Sequence, residues 1–373
     1  MIAGDICPRL RVNEYIDKED FFYILGDVKD LIASADFSIV NFESPVVDGT
    51  AQPINKQGPS LRCTSKTVMA IKWTGFKCAT LANNHFFDYG QKGVEDTINA
   101  LEAEGIDHVG GGLNLDDSAK ILYKDISGKT LAIINCCEHE FSIATETTAG
   151  CNPLNPVKQY YSIKEAKCKA DYVLVIVHGG HEMFQLPSPR MIETYRFFIE
   201  VGADAVVNHH QHCYSGYEFY HGCPILYGLG NFLFDTTPVR TDDIWNYGML
   251  CELSLSDDEK KISLYPYSQC AEEPRIKMLP LNAFDKRLKK INDLIAEPKE
   301  LRAKYKAYCE KSSNIFENIL EPFQSKLYMK LKRRGLLPSF INKRSLTALA
   351  DYVLCESHRD KFGLWLEKTV QKK

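Results

Sequence analysis

The chain has 373 residues and a net charge of −4, and its 45% hydrophobic and 25% charged content is ordinary for a soluble protein. No run approaches the roughly 20 apolar residues of a membrane span. Met1 leads directly into a strand rather than a signal peptide. We therefore expect a cytoplasmic protein, or an extracytoplasmic one if the native N-terminus was trimmed. The 13 cysteines form no C-x-x-C pair, which favours reduced thiols.

Each of the first two predicted strands has a carboxylate residue at its end. Residues 2–5 form a strand that ends at Asp5, and a helix is predicted over residues 20–35. Residues 36–43 form the second strand, whose end has Asn41 and Glu43. These two side chains lie on one face, because side chains alternate along a strand.

A long loop over residues 48–65 follows, rich in Gly, Pro and polar residues and long enough to be functional. Its cations, Lys56 and Arg62, are candidates for holding an anionic substrate, although loop cations usually hold nothing. The third strand then ends in Asn83, Asn84 and His85.

The middle of the chain alternates helices and short strands. A helix over 91–104 precedes two strands, I-D-H-V and T-L-A-I-I-N-C-C. Residues 138–160 read as an irregular loop over the site, and a helix over 162–170 follows.

Six of the ten histidines fall between His178 and His221. Residues 173–177 and 205–207 are continuous apolar runs typical of buried parallel strands, and imidazoles follow both runs. Any single histidine here is best explained as a satisfied core or surface residue. Together, His178, His210 and His212 favour a metal site, because H-x-H directs two ring nitrogens into one small volume. We interpret His181, His209 and His221 as neighbours or surface residues.

Polar side chains therefore follow five separate apolar strands. In open α/β sheets, ligands bind outside the carboxyl ends of the strands, so we expect these side chains to converge. Mixed oxygen and nitrogen ligands suit Mn, Fe or Zn better than Ca or Mg. About six candidate ligands fit two divalent transition metals, with Glu43 as the bridging carboxylate.

From about residue 280 the pattern changes to amphipathic helices, predicted over 281–295 and 301–319. Residues 275–373 have 23 Lys and Arg against 11 Asp and Glu, whereas residues 1–274 have a net charge of −16. We predict a domain of residues 1–275 and a basic helical C-terminal region of residues 276–373. Contact with a membrane surface is one explanation of the basic region, and a solvated helical face is the commoner one. No base-stacking motif indicates a nucleic-acid partner.

The motif order resembles the CapA family of capsule and poly-γ-glutamate synthesis proteins, a branch of the calcineurin-like metallophosphoesterases. The resemblance covers residues 2 to about 270. It rests on the motifs G-D, N-F-E, L-A-N-N-H-F-F-D-Y-G, H-G-G-H-E, G-A-D-A-V-V-N-H-H-Q-H and Y-G-L-G-N-F-L-F. It implies an α/β fold, the αββα sandwich of calcineurin-like metallophosphoesterases, with a C-terminal helical appendage.

The resemblance also implies a ligand set and catalytic roles. One metal would be held by Asp5, Glu43 and His212, and a second by Glu43, Asn84, His178 and His210. His85 would protonate the leaving group, Asp88 would orient His85, and Glu182 would orient a ligand or the substrate. Asn231 of G-N-F matches a position that we interpret as structural.

The sequence departs from the wider superfamily at two positions. The first strand has Asp-x-Cys in place of Asp-x-His, so Cys7 is either a zinc ligand or a buried thiol. We favour the thiol, because nothing nearby indicates a lowered pKa. The bridging aspartate is replaced by Glu43.

These observations predict a metal-dependent hydrolase that cleaves a phosphoester in an anionic or phosphorylated substrate, with amide cleavage as the less favoured alternative. The resemblance implies a role beside capsule-synthesis machinery, in making capsular polysaccharide or poly-γ-glutamate. The alternative is a non-catalytic accessory protein that binds an anionic polymer in the same cleft. A third hypothesis, nucleic-acid processing, is disfavoured by the acidic first part of the chain.

Overall fold

The computed structural model describes residues 1–56, 58–311 and 325–338, and single positions 346, 347, 349, 353, 362 and 366. The chain divides into two units, Met1–Arg302 and Ala303–Lys373. In chain order the strands are β1 (Ile2–Cys7), β2 (Ile39–Phe42), β3 (Cys78–Thr80), β4 (Asp107–Val109), β5 (Gly111–Gly112), β6 (Leu122–Ile126), β7 (Lys129–Cys137), β8 (Gly150–Cys151), β9 (Tyr172–His178), β10 (Ala205–His209), β11 (Tyr217–Tyr220), β12 (Cys223–Leu226), β13 (Asn231–Phe234), β14 (Tyr247–Leu255), β15 (Lys260–Gln269) and β16 (Ile276–Met278).

The helices surround these strands. They are α1 (Arg11–Asp17), α2 (Phe21–Ala33), α3 (Ser65–Thr74), α4 (Gly90–Ala103), α5 (Leu115–Ser118), α6 (Pro156–Lys169), α7 (Pro189–Val201), α8 (Asp285–Ala296), α9 (Pro298–Lys311) and α10 (Lys326–Arg333). None of the helices within the described residues is long and apolar enough to cross a membrane.

Two sheets form the centre of the first unit. The first has the order β16-β15-β14-β1-β2-β3-β4, and β13 also pairs with β1. Strands β1 to β4 and β13 pair in parallel, whereas β14 to β16 are antiparallel. The second sheet has the order β11-β12-β10-β9-β7-β6, with a parallel centre and antiparallel edges.

Alternating apolar side chains build the layers. Ile39 in the first sheet and Ile176 in the second share the core between the sheets. Their strand neighbours face outwards: Val40 packs with helices α1 to α4, and Val175 packs with α6, α7 and α8. This period of two produces four layers, helix–sheet–sheet–helix. The α/β sandwich predicted from the family resemblance is therefore confirmed.

Several element bounds differ from the sequence prediction. Strand β1 continues past Asp5 to Cys7, and α6 begins at Pro156, inside the segment predicted to be irregular. Pro156 occupies the first turn of α6, and Asn155 caps the helix, so the helix starts before its apolar pattern does. Residues 312–319 of the predicted 301–319 helix lie outside the described residues.

Helix α8 packs on the first unit. Leu288, Ile291 and Ile295 belong to the core beside the second sheet, and Asn292 Oδ1 accepts a hydrogen bond of 2.9 Å from the Tyr217 backbone N–H. The units divide after Arg302, later than the predicted boundary at residue 275. Residue 275 as a boundary between independent domains stays a prediction.

A close approach of two backbones fixes the path of β1. Asp5 N donates to Gly230 O across 3.3 Å, and the register of β1 against β2 and β13 shifts on either side of Asp5. A Cβ atom at Gly4 would overlap the carbonyl oxygen of Gly230. Gly230 itself has φ of 79°, which favours glycine.

Replacing Gly4 by alanine is expected to lower the free energy of unfolding by about 1–3 kcal/mol, because the methyl group must displace β13. Urea unfolding followed by circular dichroism measures the change. Gly26→Ala in α2 is the control: its new methyl would meet only the exposed Phe22 ring at 3.3 Å. Helix propensity there gains roughly 0.5–1 kcal/mol. Equal effects of the two substitutions would contradict the prediction.

Candidate metal centre

The carboxyl ends of parallel strands from both sheets meet at one buried site. Asp5 lies in β1, and Glu43 directly follows β2. His178 ends β9, in register with His209 at the end of β10. The structure places all six predicted ligands in this region, and each is at most 8% exposed: Asp5, Glu43, Asn84, His178, His210 and His212.

The ligand atoms lie within a few ångströms of one another. Glu43 Oε1 is 3.7 Å from His178 Nε2 and 3.6 Å from His212 Nε2. His178 Nε2 is 3.1 Å from both Asn84 Oδ1 and His210 Nδ1. His212 Nδ1 is 3.5 Å from Asp5 Oδ2.

Two groups of three residues could each hold a metal ion. One comprises Asp5, Glu43 and His178, and the other comprises Glu43, His210 and His212; within each, the ligand atoms lie within 4.8 Å of one another. The family resemblance groups the histidines differently, with His212 beside Asp5. In both descriptions Glu43 is the shared residue, as a bridging carboxylate must be.

The chemistry of Glu43 fits divalent cations. Its side chain is 0% exposed, and neither carboxylate oxygen has a hydrogen-bond partner within the described part of the chain. Burial, followed by the negative charge of Asp5, raises the pKa of Glu43 well above its usual value. A buried carboxylate without partners is costly, so an ion that satisfies both oxygens would stabilise this arrangement.

The pKa values of His178 and His212 are shifted in opposite directions. Burial, together with the proximity of His210, lowers the pKa of His178 well below its usual value, which favours the neutral imidazole that binds metals. Burial also acts to lower the pKa of His212, but Glu43 and Asp5 outweigh it and raise this pKa to about 10.

The turn after β10 has an unusual backbone. His210 has φ of 90° and His212 has φ of 53°, a conformation that non-glycine residues rarely adopt. Such strain is found at sites where the surrounding structure imposes it. Here it directs both imidazoles towards the carboxylates.

Asparagines hold the ligands in place. Asn41 Nδ2 donates to Asp5 Oδ1 across 2.8 Å and lies 3.3 Å from His178 Nδ1. Asn231, interpreted as structural, orients a candidate ligand: its Oδ1 lies 2.9 Å from His212 Nδ1. The N-F-E spacing placed Asn41 beside Glu43, whereas no local pattern links Asn231 to His212.

His209 was interpreted as either a neighbour of the ligands or a surface residue. It is buried, so the surface alternative is wrong, and it lies beside the candidate ligand Asp5. Its Nδ1 is 3.6 Å from Asp5 Oδ1, and neither ring nitrogen has a hydrogen-bond partner among the described residues. Its register with His178 turns it inwards between the sheets.

Three predicted residues form a connected group beside the ligands. His85 Nδ1 is 2.7 Å from Asp88 Oδ2 and 3.1 Å from Lys56 Nζ. Lys56 also forms an ion pair with Asp88 Oδ1, and its side chain is only 2% exposed. Burial lowers the pKa of His85, although the hydrogen bond to Asp88 opposes this.

Asp88 anchors the long loop over residues 48–65 next to His85. The Leu61 N–H donates to Asp88 Oδ2 across 2.6 Å, and the Ile54 N–H donates to the Asp88 carbonyl across 2.9 Å. With Lys56, this makes three attachments from one loop. The ammonium group of Lys56 therefore contacts Asp88 and His85 within the protein.

The remaining predicted residues lie at the rim. Arg62 is exposed, with its guanidinium 5.8 Å from the centre of the Tyr89 ring. Glu182 is exposed and close enough for its charge to raise the pKa of His212. Glu140, from the segment after β7, has Oε1 3.7 Å from His210 Nε2.

Cys7 has the properties of an inert thiol. It packs with Leu61 and Phe234, and it belongs to neither three-residue group. Burial, followed by the charge of Glu43, raises its pKa well above the usual value. A protonated thiol is a poor metal ligand.

Comparison with known proteins gives consistent results. Residues 1–236 match the family described as Bacterial capsule synthesis protein PGA_cap. The chain is 34% identical over 250 residues to Capsule biosynthesis protein CapA of Bacillus anthracis, which covers 65% of this chain and 61% of that protein. It is 33% identical over 247 residues to PGA biosynthesis protein CapA of Bacillus subtilis, covering 65% and 64%. The chain thus spans less than two thirds of the length of these relatives.

Less similar proteins also match parts of the chain. A probable polyglutamine synthesis accessory protein of Mycobacterium tuberculosis is 29% identical over 171 residues, covering 42% of this chain and 45% of that protein. Among solved structures, a putative 5'-nucleotidase from Staphylococcus aureus is 15% identical, covers 69% of this chain and 49% of its own, and has a TM-score of 0.39.

Replacing Lys56 by methionine is expected to lower the free energy of unfolding by about 3–5 kcal/mol, because it leaves the Asp88 carboxylate buried without its cation. Chemical denaturation measures the change. Lys66→Met is the matched control: Lys66 pairs with Glu19, and these side chains are 39% and 47% exposed. Its removal is expected to cost less than about 1 kcal/mol. Similar losses of unfolding free energy in both variants would contradict the prediction, because the buried ion pair would then stabilise the protein no more than an exposed one.

Proposed function

The chain belongs to the bacterial capsule synthesis protein family PGA_cap, and from this premise we propose that it is a metal-dependent hydrolase of the phosphoesterase type. We propose that it acts in making capsular polysaccharide or poly-γ-glutamate. The observation that carries the proposal is the buried Glu43 carboxylate, which has no hydrogen-bond partner among the residues that the structure describes and is shared by two groups of candidate ligands.

Two divalent transition metals, Mn, Fe or Zn, are the proposed cofactors. Their ligands are the six buried residues at the strand ends: Asp5, Glu43, Asn84, His178, His210 and His212. When bound, such metals polarise a phosphoryl oxygen and lower the pKa of water from 15.7 to about 7. The mixture of carboxylate, amide and imidazole ligands supports a borderline transition metal rather than calcium.

His85 is proposed to protonate the leaving group. With Nδ1 directed at Asp88, Nε2 is the ring nitrogen that remains to transfer a proton. The Asp88 carboxylate favours the charged imidazolium and fixes the plane of the ring. Lys56 holds Asp88 in turn, so the loop over residues 48–65 supports the acid.

The substrate is proposed to be an anionic or phosphorylated small molecule or polymer. Exposed Arg62 is a candidate to attract it, and exposed Glu182 is a candidate to orient it or a ligand. Capsule-synthesis machinery is the proposed partner, and the basic residues 276–373 are candidates for contact with a membrane surface.

A non-catalytic role is the second candidate, favoured by one observation. Cys7 occupies a position at which the wider superfamily has a ligand, and its thiol is buried with a raised pKa. A relative in M. tuberculosis is named a probable accessory protein. In this alternative, the same cleft binds an anionic polymer without cleaving it.

Hydrolysis assays with two leaving groups distinguish these functions. With manganese added, wild type is expected to cleave both p-nitrophenyl phosphate and an alkyl phosphate such as a phosphosugar. His85→Asn is expected to lower kcat on the alkyl phosphate by about 10²–10⁴-fold and on the nitrophenyl ester far less, because nitrophenolate departs without a proton. His210→Ala is expected to lower both rates.

His221→Asn, at an exposed position, is the control and is expected to retain both rates. No hydrolysis by wild type would favour the accessory role. Equal losses on the two substrates in His85→Asn would contradict the role of His85 as the acid.

A further inference from the structure

A groove of about 650 Å³ lies in the first unit, between one face of α8 and two loops of the sandwich. Residues 183–186 form one wall and Ile244 contributes to another. The cations Lys286, Arg287 and Lys290 project from α8. A volume of this size suits a ligand larger than a single phosphate or metal ion.

The loops of the groove are the loops of the metal centre. Met183 N donates to Gln211 O across 2.8 Å, and Gln211 Nε2 donates to Phe184 O across 2.7 Å. Gln211 lies between the ligands His210 and His212. On the other wall, Ile244 precedes Trp245, whose ring centroid is 4.9 Å from that of His212. The groove therefore leads away from the site along the segments that hold it.

The lining of the groove is cationic. No Asp or Glu among the described residues lines it, and none forms an ion pair with Lys286, Arg287 or Lys290. Arg287 donates to Gln185 Oε1 at the groove wall. In contrast, Lys289 pairs with Asp293 across 2.7 Å and does not line the groove.

The cations of the groove contrast with the negative net charge of residues 1–274. Residues 1–274 have a net charge of −16, which repels a polyanion from most of the first unit. Lys286 and Lys290 lie one helical turn apart, about 6 Å along the axis, and so present repeated positive charge. Between the cations the lining is apolar, with Phe184, Leu186 and Leu294.

We propose that this groove is a binding subsite for a polycarboxylate chain, whose carboxylates contact the cations of α8 and whose methylene groups lie on the apolar lining. The inference rests on the proposed function, since it identifies the substrate of that site as a polymer held beyond the scissile bond. Helix α8 lies outside the family match at residues 1–236.

The test measures binding of a fluorescein-labelled short poly-γ-glutamate oligomer to the full chain by fluorescence anisotropy at fixed ionic strength. The double variant Lys286→Gln/Lys290→Gln is expected to bind about tenfold more weakly, as the loss of two exposed ion pairs allows. Lys289→Gln/Lys299→Gln removes the same charge from residues that do not line the groove, and is expected to bind as wild type does. Thermal unfolding and metal content verify that both variants are folded.

Equal binding by the two double variants would overturn the inference. So would equally effective competition by inorganic polyphosphate, which would show that the groove selects charge rather than carboxylates. A third contrary result is loss of binding to anionic phospholipid vesicles with polymer binding retained, which would make the groove a membrane contact. Binding is measured without turnover, so a wild type that hydrolyses nothing would remove the proposed hydrolase activity while this comparison still decides the role of the groove.

Discussion

The buried carboxylate of Glu43 lies where the two sheets of the first unit meet. It follows a strand of one sheet and lies within 3.7 Å of imidazoles from the other, and neither of its oxygens has a hydrogen-bond partner among the described residues. Such a group is tolerated only where other charges stabilise it. The close approach of Gly4 to Gly230 fixes the path of β1 within the first sheet. The left-handed turn at His210 and His212 places imidazoles from the end of β10, in the second sheet, near Glu43.

A second group of polar residues attaches the loop over residues 48–65 to the buried site. Loops between secondary-structure elements are usually the variable parts of a fold, but residues 48–65 are attached to Asp88 at three points. Asp88 also contacts His85, so the loop and the proposed acid share one support. His85 directly follows the candidate ligand Asn84, so the loop and the proposed acid adjoin the candidate metal centre. The proposed cationic groove lies beside α8.

Local pattern predicted the parts of this arrangement that follow from strand periodicity. Apolar runs located β9 and β10, and the side chains after them converged because parallel strands end at the same edge. The family resemblance supplied the sandwich and the pairing of distant motifs. The sequence could not indicate that Lys56 would turn inwards, that Asn231 would contact His212, or that α8 would pack on the first unit. Those contacts depend on loop paths and on packing between segments far apart in the chain.

Elemental analysis of protein purified without chelator decides whether Glu43 holds bound metal. We expect one or two transition-metal ions per wild-type chain, and at least about a tenfold loss of metal affinity in Glu43→Gln, since even residues that only support ligands contribute that much. Cys7→Ser is expected to retain its metal in full. Wild type without transition metal, or Glu43→Gln with the metal content of wild type, would rule out this role of Glu43.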